Sequence, residues 1–236
     1  MDFPALERNL ARVRAEISEV QSKHGLVDPV TIVAVTKGHP PSAILAAAAC
    51  GLRDIGENRV QEAMHKWEEL GETEVRWHLV GHLQTNKARF VPGKFHLVHS
   101  VDSNRVAAAL SKAVRLRKDD DGSSERVSVL LQVNVAEEEQ KYGCQPEDAE
   151  DMAHAIAVSP ELKLIGVMAM APFTADETVQ RRVFASVKKL RDKIEGGGLE
   201  LPTLSMGMSG DYRAAVAEGA NMVRLGTVLF GERQNA

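Results

Sequence analysis

Val30-Thr31-Ile32-Val33-Ala34-Val35-Thr36-Lys37 is a run of β-branched and small apolar residues that ends on a lysine. Such a run fits a buried strand, and turn signals bound it. Upstream, residues 3–24 carry Leu6, Leu10, Val13, Ile17 and Val20 at helical spacing. Downstream, Pro40-Pro41-Ser42 opens an alanine-rich helix that stops at Gly51. Working outward, further strands are expected at 53–56, 75–80, 95–101, 127–135, 162–169, 203–208 and 222–225. Helices are expected between them at 59–70, 85–90, 104–117, 146–158, 177–195 and 211–218. Eight strands in strict alternation with helices imply parallel strands, and that count favours a closed barrel over an open sheet. No G-x-G-x-x-G follows the first strand, which counts further against a dinucleotide-binding sheet. The segment from Lys118 to Glu125 reads as a charged surface loop, and Gly196-Gly197-Gly198 as a flexible connection.

Composition narrows the function. Hydrophobic residues at 44% and charged residues at 26% belong to a soluble globular chain. A net charge of −4 provides no basic field for a phosphate backbone, so nucleic acid is not an expected partner. No stretch reaches the roughly eighteen apolar residues of a membrane span. The first fourteen residues are charged and read as helix, not as a signal peptide. Cys50 and Cys144 lack metal-like spacing, and a cytoplasmic location with both as thiols is expected. One domain over residues 1–236 is expected, as a monomer or weak dimer.

In a parallel barrel, chemistry gathers at the C-terminal strand ends. Here those ends carry Lys37, Asn58, His82, Asp102, Asn134, Met170, Ser209 and Arg224. Thr31, Val33, Val35 and Lys37 share one strand face, so a lysine at the mouth follows if the valines pack the interior. An ammonium partly withdrawn from water loses its proton more readily and can then attack an aldehyde. On position alone Lys37 also fits an ordinary solvated lysine. The turns Ser205-Met206-Gly207-Met208-Ser209-Gly210-Asp211 and Arg224-Leu225-Gly226-Thr227 alter that balance. They follow strands seven and eight, where barrels frequently bind phosphate, and Ser209 is a natural helix N-cap. A phosphorylated carbonyl ligand is the expectation.

These residues also resemble a family. Val33-Ala34-Val35-Thr36-Lys37, Gly56-Glu57-Asn58-Arg59-Val60-Gln61-Glu62 and His78-Leu79-Val80-Gly81-His82-Leu83-Gln84-Thr85-Asn86-Lys87 carry the likeness. So do Leu164 to Met170, Leu204 to Ser209, and Val223-Arg224-Leu225-Gly226-Thr227-Val228-Leu229-Phe230-Gly231. The chain resembles the YggS/PROSC-type pyridoxal phosphate homeostasis proteins, themselves similar to the barrel domain of alanine racemase. That resemblance implies a single (β/α)8 TIM-type barrel with an extra N-terminal helix, the PLP fold type III, and no second domain. It implies pyridoxal 5′-phosphate held as a Schiff base on Lys37, with phosphate contacts from Ser209, Gly226 and Thr227. Arg224 would face the pyridine nitrogen, and Asn58 joins the cofactor-binding set. Two departures stand out: His82 where the family usually has proline, and Val135-Ala136-Glu137 after Asn134, although Glu138, Lys141 and Gly143 still fit.

A carrier is expected rather than an enzyme, with no catalytic residue assigned. Racemisation needs a base on each face of the cofactor, and in the racemases a second domain supplies one as tyrosine. Here only Tyr142 and Tyr212 exist. A guanidinium does not give up its proton, so the ring nitrogen beside Arg224 stays unprotonated and is a weaker electron sink. The implied role is intracellular cofactor homeostasis, with cofactor-requiring apo-enzymes as partners; the alternative is a racemase-like enzyme. A Schiff-base aldolase would be expected to carry its lysine on a central strand, yet the sixth ends in Met168-Ala169-Met170. No metal is expected: His96 and His99 should point to opposite faces, and His78 and His82 show no nearby carboxylate in the sequence.

Overall fold

Each strand in the computed structural model pairs in parallel with the next in sequence, and β8 closes on β1. The structure describes residues 3–122, 125–135 and 142–232. The strands are β1 (Thr31–Val35), β2 (Asp54–Glu57), β3 (Arg76–Leu79), β4 (Leu97–Val101), β5 (Val127–Gln132), β6 (Leu162–Met168), β7 (Thr203–Ser205) and β8 (Met222–Leu225). The helices are α1 (Leu6–His24), α2 (Ser42–Ala49), α3 (Val60–Leu70), α4 (Asn104–Asp121), α5 (Ala149–Ala157), α6 (Glu177–Gly196), α7 (Tyr212–Ala217) and α8 (Thr227–Phe230). Thr85–Phe90, between β3 and β4, is a 3-10 helix.

Alternation along the strands sorts the apolar residues into two populations. Ile32, Ala34, Ile55, Leu79, Val98 and Leu204 join the layer between sheet and helices. Leu97, Leu130 and Met168 form a separate buried cluster, with Ile165, Met170 and Met222 against it. Their strand parity puts that cluster inside the barrel. Val33 and Val35 also face inward: a Cβ built on Gly56 would lie 3.0 Å from Val33 Cγ1 and 3.2 Å from Val35 Cγ2. Lys37 therefore emerges at the mouth on the valine face.

The leading helix α1 buries the five residues whose spacing marks it, and Gly25 ends it in the left-handed conformation with φ 65°. It packs on α7 and α8, closing the side of the barrel beside β8. Three sequence expectations need correction. The charged stretch after Arg117 is not a loop from Lys118, because α4 continues to Asp121 before Gly122 turns left-handed. Gly196 is the last residue of α6. The turn after Arg224 contains α8, tied to α1 by the Asn9 amide donating to the Leu229 carbonyl at 2.9 Å. Among the described residues no helix is long and apolar enough to cross a membrane.

Candidate functional site

At the C-terminal end of the barrel lies a cavity of about 1050 Å³. Lys37, Asn58, His82, Met170, Ser209, Arg224, Gly226 and Thr227 all line it. Of the expected strand ends, Asp102 and Asn134 do not; Gln132 reaches the cavity from β5 instead.

Lys37 is held by what surrounds Thr36. The Thr36 side chain follows Ala34 outward, away from the valine face, and its hydroxyl donates to Glu57 Oε1 at 2.5 Å. From α3, the Lys66 ammonium donates to the Thr36 carbonyl at 2.7 Å and to Glu57 at 2.6 Å. Glu62, one helical turn earlier, accepts the Gly38 N–H at 2.6 Å and sits 3.1 Å from Lys66. Both neighbours of Lys37 are thus pinned by charge-assisted bonds. Burial pushes the Glu57 carboxyl up, against the opposing pull of Lys66. Burial also works against ionised Glu62, yet the Gly38 N–H and Lys66 hold it below the usual range. Sequence reasoning missed Lys66, although its i,i+4 spacing from Glu62 was visible.

Arg224, almost fully buried, is fixed through both terminal nitrogens. Its Nη1 donates to the Ser205 carbonyl at 2.8 Å and to Ser205 Oγ at 2.7 Å, while Nη2 donates to the Ala169 carbonyl at 2.9 Å. Burial lowers its pKa to about 10, with Asp211 opposing, so it remains a cation at neutrality. Ser209 does not cap α7, which begins at Tyr212 after Asp211. Its hydroxyl instead accepts the Gly226 and Val228 N–H groups, each at 3.2 Å, and so joins the two turns. Gly207, at φ 93°, lets the first of these turns pack on α7: a Cβ there would meet Ala215 Cβ at 2.6 Å. At the opposite wall, a Cβ on Gly81 would lie 2.3 Å from the Asn58 carbonyl oxygen, so the chain after β3 presses directly on Asn58.

The histidines correct the sequence reading. His78 Nε2 lies 2.8 Å from Asp54 Oδ1, and His82 Nδ1 lies 3.3 Å from Asp102. His78 also meets both His96 and His99, with ring centroids 5.7 Å and 5.2 Å away. Among the described residues no three His, Cys, Asp or Glu side chains gather as a metal site would require.

The chain matches the family of the alanine racemase N-terminal domain over residues 5–234. The pyridoxal phosphate homeostasis protein of Pseudomonas aeruginosa is 42% identical over 230 residues, covering 97% of this chain and 96% of that protein. Its counterpart in Escherichia coli is 37% identical over 235 residues, covering 97% of each. This chain belongs to the pyridoxal phosphate homeostasis protein family. Among solved structures, PipY of Synechococcus elongatus with PLP bound superposes with TM-score 0.83 at 34% identity, covering 96% of this chain and all of that one. A Clostridium difficile alanine racemase, at 16% identity and TM-score 0.76, shares the fold over 98% of this chain and 61% of its own.

Of the two departures expected from the sequence, His82 lies at the mouth. His82 stacks on Tyr142 with centroids 3.9 Å apart and planes 15° off parallel, and both line the cavity. Tyr142 therefore does reach the mouth, its carbonyl accepting the Gln132 amide at 2.8 Å. Tyr212 does not: it is buried on α7 and donates to Glu16 of α1. Residues 136–141, with Glu138 and Lys141, lie outside the described residues.

Proposed function

We propose that this chain holds pyridoxal 5′-phosphate as a Schiff base on Lys37 and acts in the cytoplasm as a carrier and buffer of that cofactor. One observation carries the reading: an amine, a fixed guanidinium and two small-residue turns joined by a hydroxyl line a single cavity. A family relative with PLP bound adds support.

The donor set fits the group. Lys37 supplies the nucleophile, pinned through Thr36 and Gly38. Ser209, Gly226 and Thr227 take the phosphate, where a hydroxyl and turn N–H groups suit a dianion. Arg224 takes the ring nitrogen with donors only, and Asn58 closes the wall opposite. When bound, the cofactor supplies a reactive aldehyde and an electron sink. Arg224 restrains the second, since a guanidinium that is cationic at neutrality gives the ring no proton. Tyr212 is committed to Glu16 and offers no second base. The racemase-like alternative has Tyr142 at the mouth in its favour, stacked on His82. Cofactor-requiring apo-enzymes are the proposed recipients, and the free thiols of Cys50 and Cys144 suit a reducing compartment.

Borohydride reduction of the purified protein followed by peptide mapping tests the site, with the label expected on Lys37. Apo-enzyme reactivation, run beside α-proton exchange of amino acids in deuterated water, tests the role. Reactivation without multiple-turnover exchange is expected. Sustained exchange that Lys37→Ala abolishes would establish an enzyme instead.

A further inference from the structure

Six side chains join end to end through the inside of the barrel. Arg76, at the N-terminal rim, donates to Asp54 through Nε at 2.8 Å and Nη2 at 2.6 Å. His78 Nε2 lies 2.8 Å from Asp54 Oδ1, and His78 Nδ1 lies 3.0 Å from His99 Nε2. His99 Nδ1 lies 3.0 Å from Ser205 Oγ, which receives Arg224 Nη1 at 2.7 Å.

Of the proton assignments that satisfy every link, one alone also gives the Ser205 hydroxyl hydrogen an acceptor in the chain. Asp54 is an acceptor, because its hydrogen bonds from His78 and Arg76 outweigh the burial that opposes ionisation. His78 must then carry hydrogen on Nε2. At the other end Arg224 has only donors, so Ser205 Oγ accepts there, and within the chain its own hydrogen finds an acceptor in His99 Nδ1. Burial first, then the Arg224 cation, hold His99 neutral. His99 therefore donates from Nε2 to His78 Nδ1, and the chain closes with every donor pointing from Arg224 towards Asp54. A proton added to His78 would force His99 to turn its own proton onto Nδ1. The Ser205 hydroxyl would then face two donors, and its own hydrogen would lose its acceptor. The charged and titratable groups in and around the chain are Asp54 on β2, Arg76 on β3, His96 at the foot of β4 with Glu125 acting on it, and Arg224 on β8 with Asp211 acting on it.

We propose that Asp54, His78 and His99 are positioning residues that fix the guanidinium of Arg224 from the opposite end of the barrel through one ordered chain of donors. This rests on Arg224 facing the cofactor ring. Lone pairs all face the Arg224 end, so the chain favours its cationic form against burial and keeps its remaining N–H groups aimed into the cavity. The ring nitrogen then meets a fixed donor that yields no proton. Polar filling is not imposed by the fold, since Leu97, Leu130 and Met168 fill the same interior with hydrocarbon.

Two measurements decide it. Long-range ¹H–¹⁵N correlation of histidine-labelled protein without cofactor reads the tautomers directly, and both His78 and His99 are expected neutral with hydrogen on Nε2. Either ring as the Nδ1 tautomer, or as imidazolium at pH 7, overturns the chain. In the loaded protein, the pH at which a ring-¹⁵N-labelled cofactor titrates should move by about one unit, about tenfold in proton affinity, in both Asp54→Asn and His99→Phe. Asp54→Asn keeps the shape of the side chain and carries this arm should His99→Phe fail to fold. An unmoved titration in a folded variant overturns the proposal. A wild-type protein that takes up no cofactor sinks the reading of the site, while the tautomers still decide the donor chain.

Discussion

Inside the barrel two fillings stand side by side, and β4 contributes to both: Leu97 to one and His99, two residues on, to the other. Leu97, Leu130 and Met168 pack as hydrocarbon across β4, β5 and β6. Asp54, His78, His99, Ser205 and Arg224 cross by hydrogen bonds. Apolar packing gains from burial without conditions, whereas each polar group must find a partner or lose the free energy of its lost hydration. Replacing a buried polar set by well-packed hydrocarbon is often neutral or stabilising. The hydrocarbon half therefore accounts for stability, and the polar half is better explained by the guanidinium it ends on.

The sharpest way to break this contrast is a cavity in the hydrocarbon half. Leu130 is fully buried, and Leu130→Ala should cost about 2–5 kcal/mol in denaturant unfolding. Cofactor content per folded molecule should stay unchanged. A large loss of cofactor with little loss of stability would reverse the roles assigned to the two halves.

At the cavity end of the polar half, and in the turn that holds Ser209 beside it, Arg224→Ala and Ser209→Ala should behave in the opposite way. Hydrogen bonds to charged groups contribute roughly 1.5–3 kcal/mol each, so cofactor affinity should fall by an order of magnitude or more in each variant. Equilibrium binding at one fixed salt concentration checks this. Unchanged affinity in both would remove support from the pocket.

The two halves were not equally legible in the sequence. Hydrocarbon positions announce themselves by strand parity, so the eight strands, α1 and the inward face of β1 could all be read from residue order. That Lys37, Ser209, Arg224, Gly226 and Thr227 line one cavity was legible because strand ends in a barrel meet at one mouth. Partnerships between strands were not. Parity assigns His78 to the interior, but only the β2–β3 register, with Asp54 beside Arg76 and Gly56 beside His78, brings Asp54 to its ring. Lys66 escaped for a related reason: it lies on α3 and acts on Thr36, 30 residues away. The end of α4 was missed because Lys118-Asp119-Asp120-Asp121 looks like loop by charge alone, while a left-handed Gly122 lets the helix run on.

Acid should separate the halves as well. His99 has its pKa held well below 6.5 by burial and by the Arg224 cation, so the unfolded chain takes up a proton there before the folded one does. Stability from this group is complete above pH 6.5 and drains as pH falls below it, by at most about 1.4 kcal/mol per pH unit. Thermal unfolding of wild type between pH 7 and pH 5 should show this slope, and His99→Phe should flatten it. Equal slopes in the two proteins would place the acid sensitivity elsewhere.

The smallest effect belongs to the outer end of the polar chain. Arg76 is 53% exposed at its side chain, while Asp54 beneath it is 10% exposed. Its two bonds to Asp54 are well made, yet water and salt reach the guanidinium, and an exposed pair of this kind contributes about 0.2–1 kcal/mol. Arg76→Ala should therefore destabilise by less than about 1 kcal/mol, with the difference shrinking as salt is raised. Asp54 would keep His78 as a donor, so the neutral Nε2 tautomers of His78 and His99 should survive unchanged. Denaturant midpoints at low and high salt, with the histidine nitrogen shifts of the same sample, measure both. A stability loss of several kcal/mol, or an inverted tautomer, would mean that the arginine at the rim, and not the carboxylate beneath it, anchors the chain.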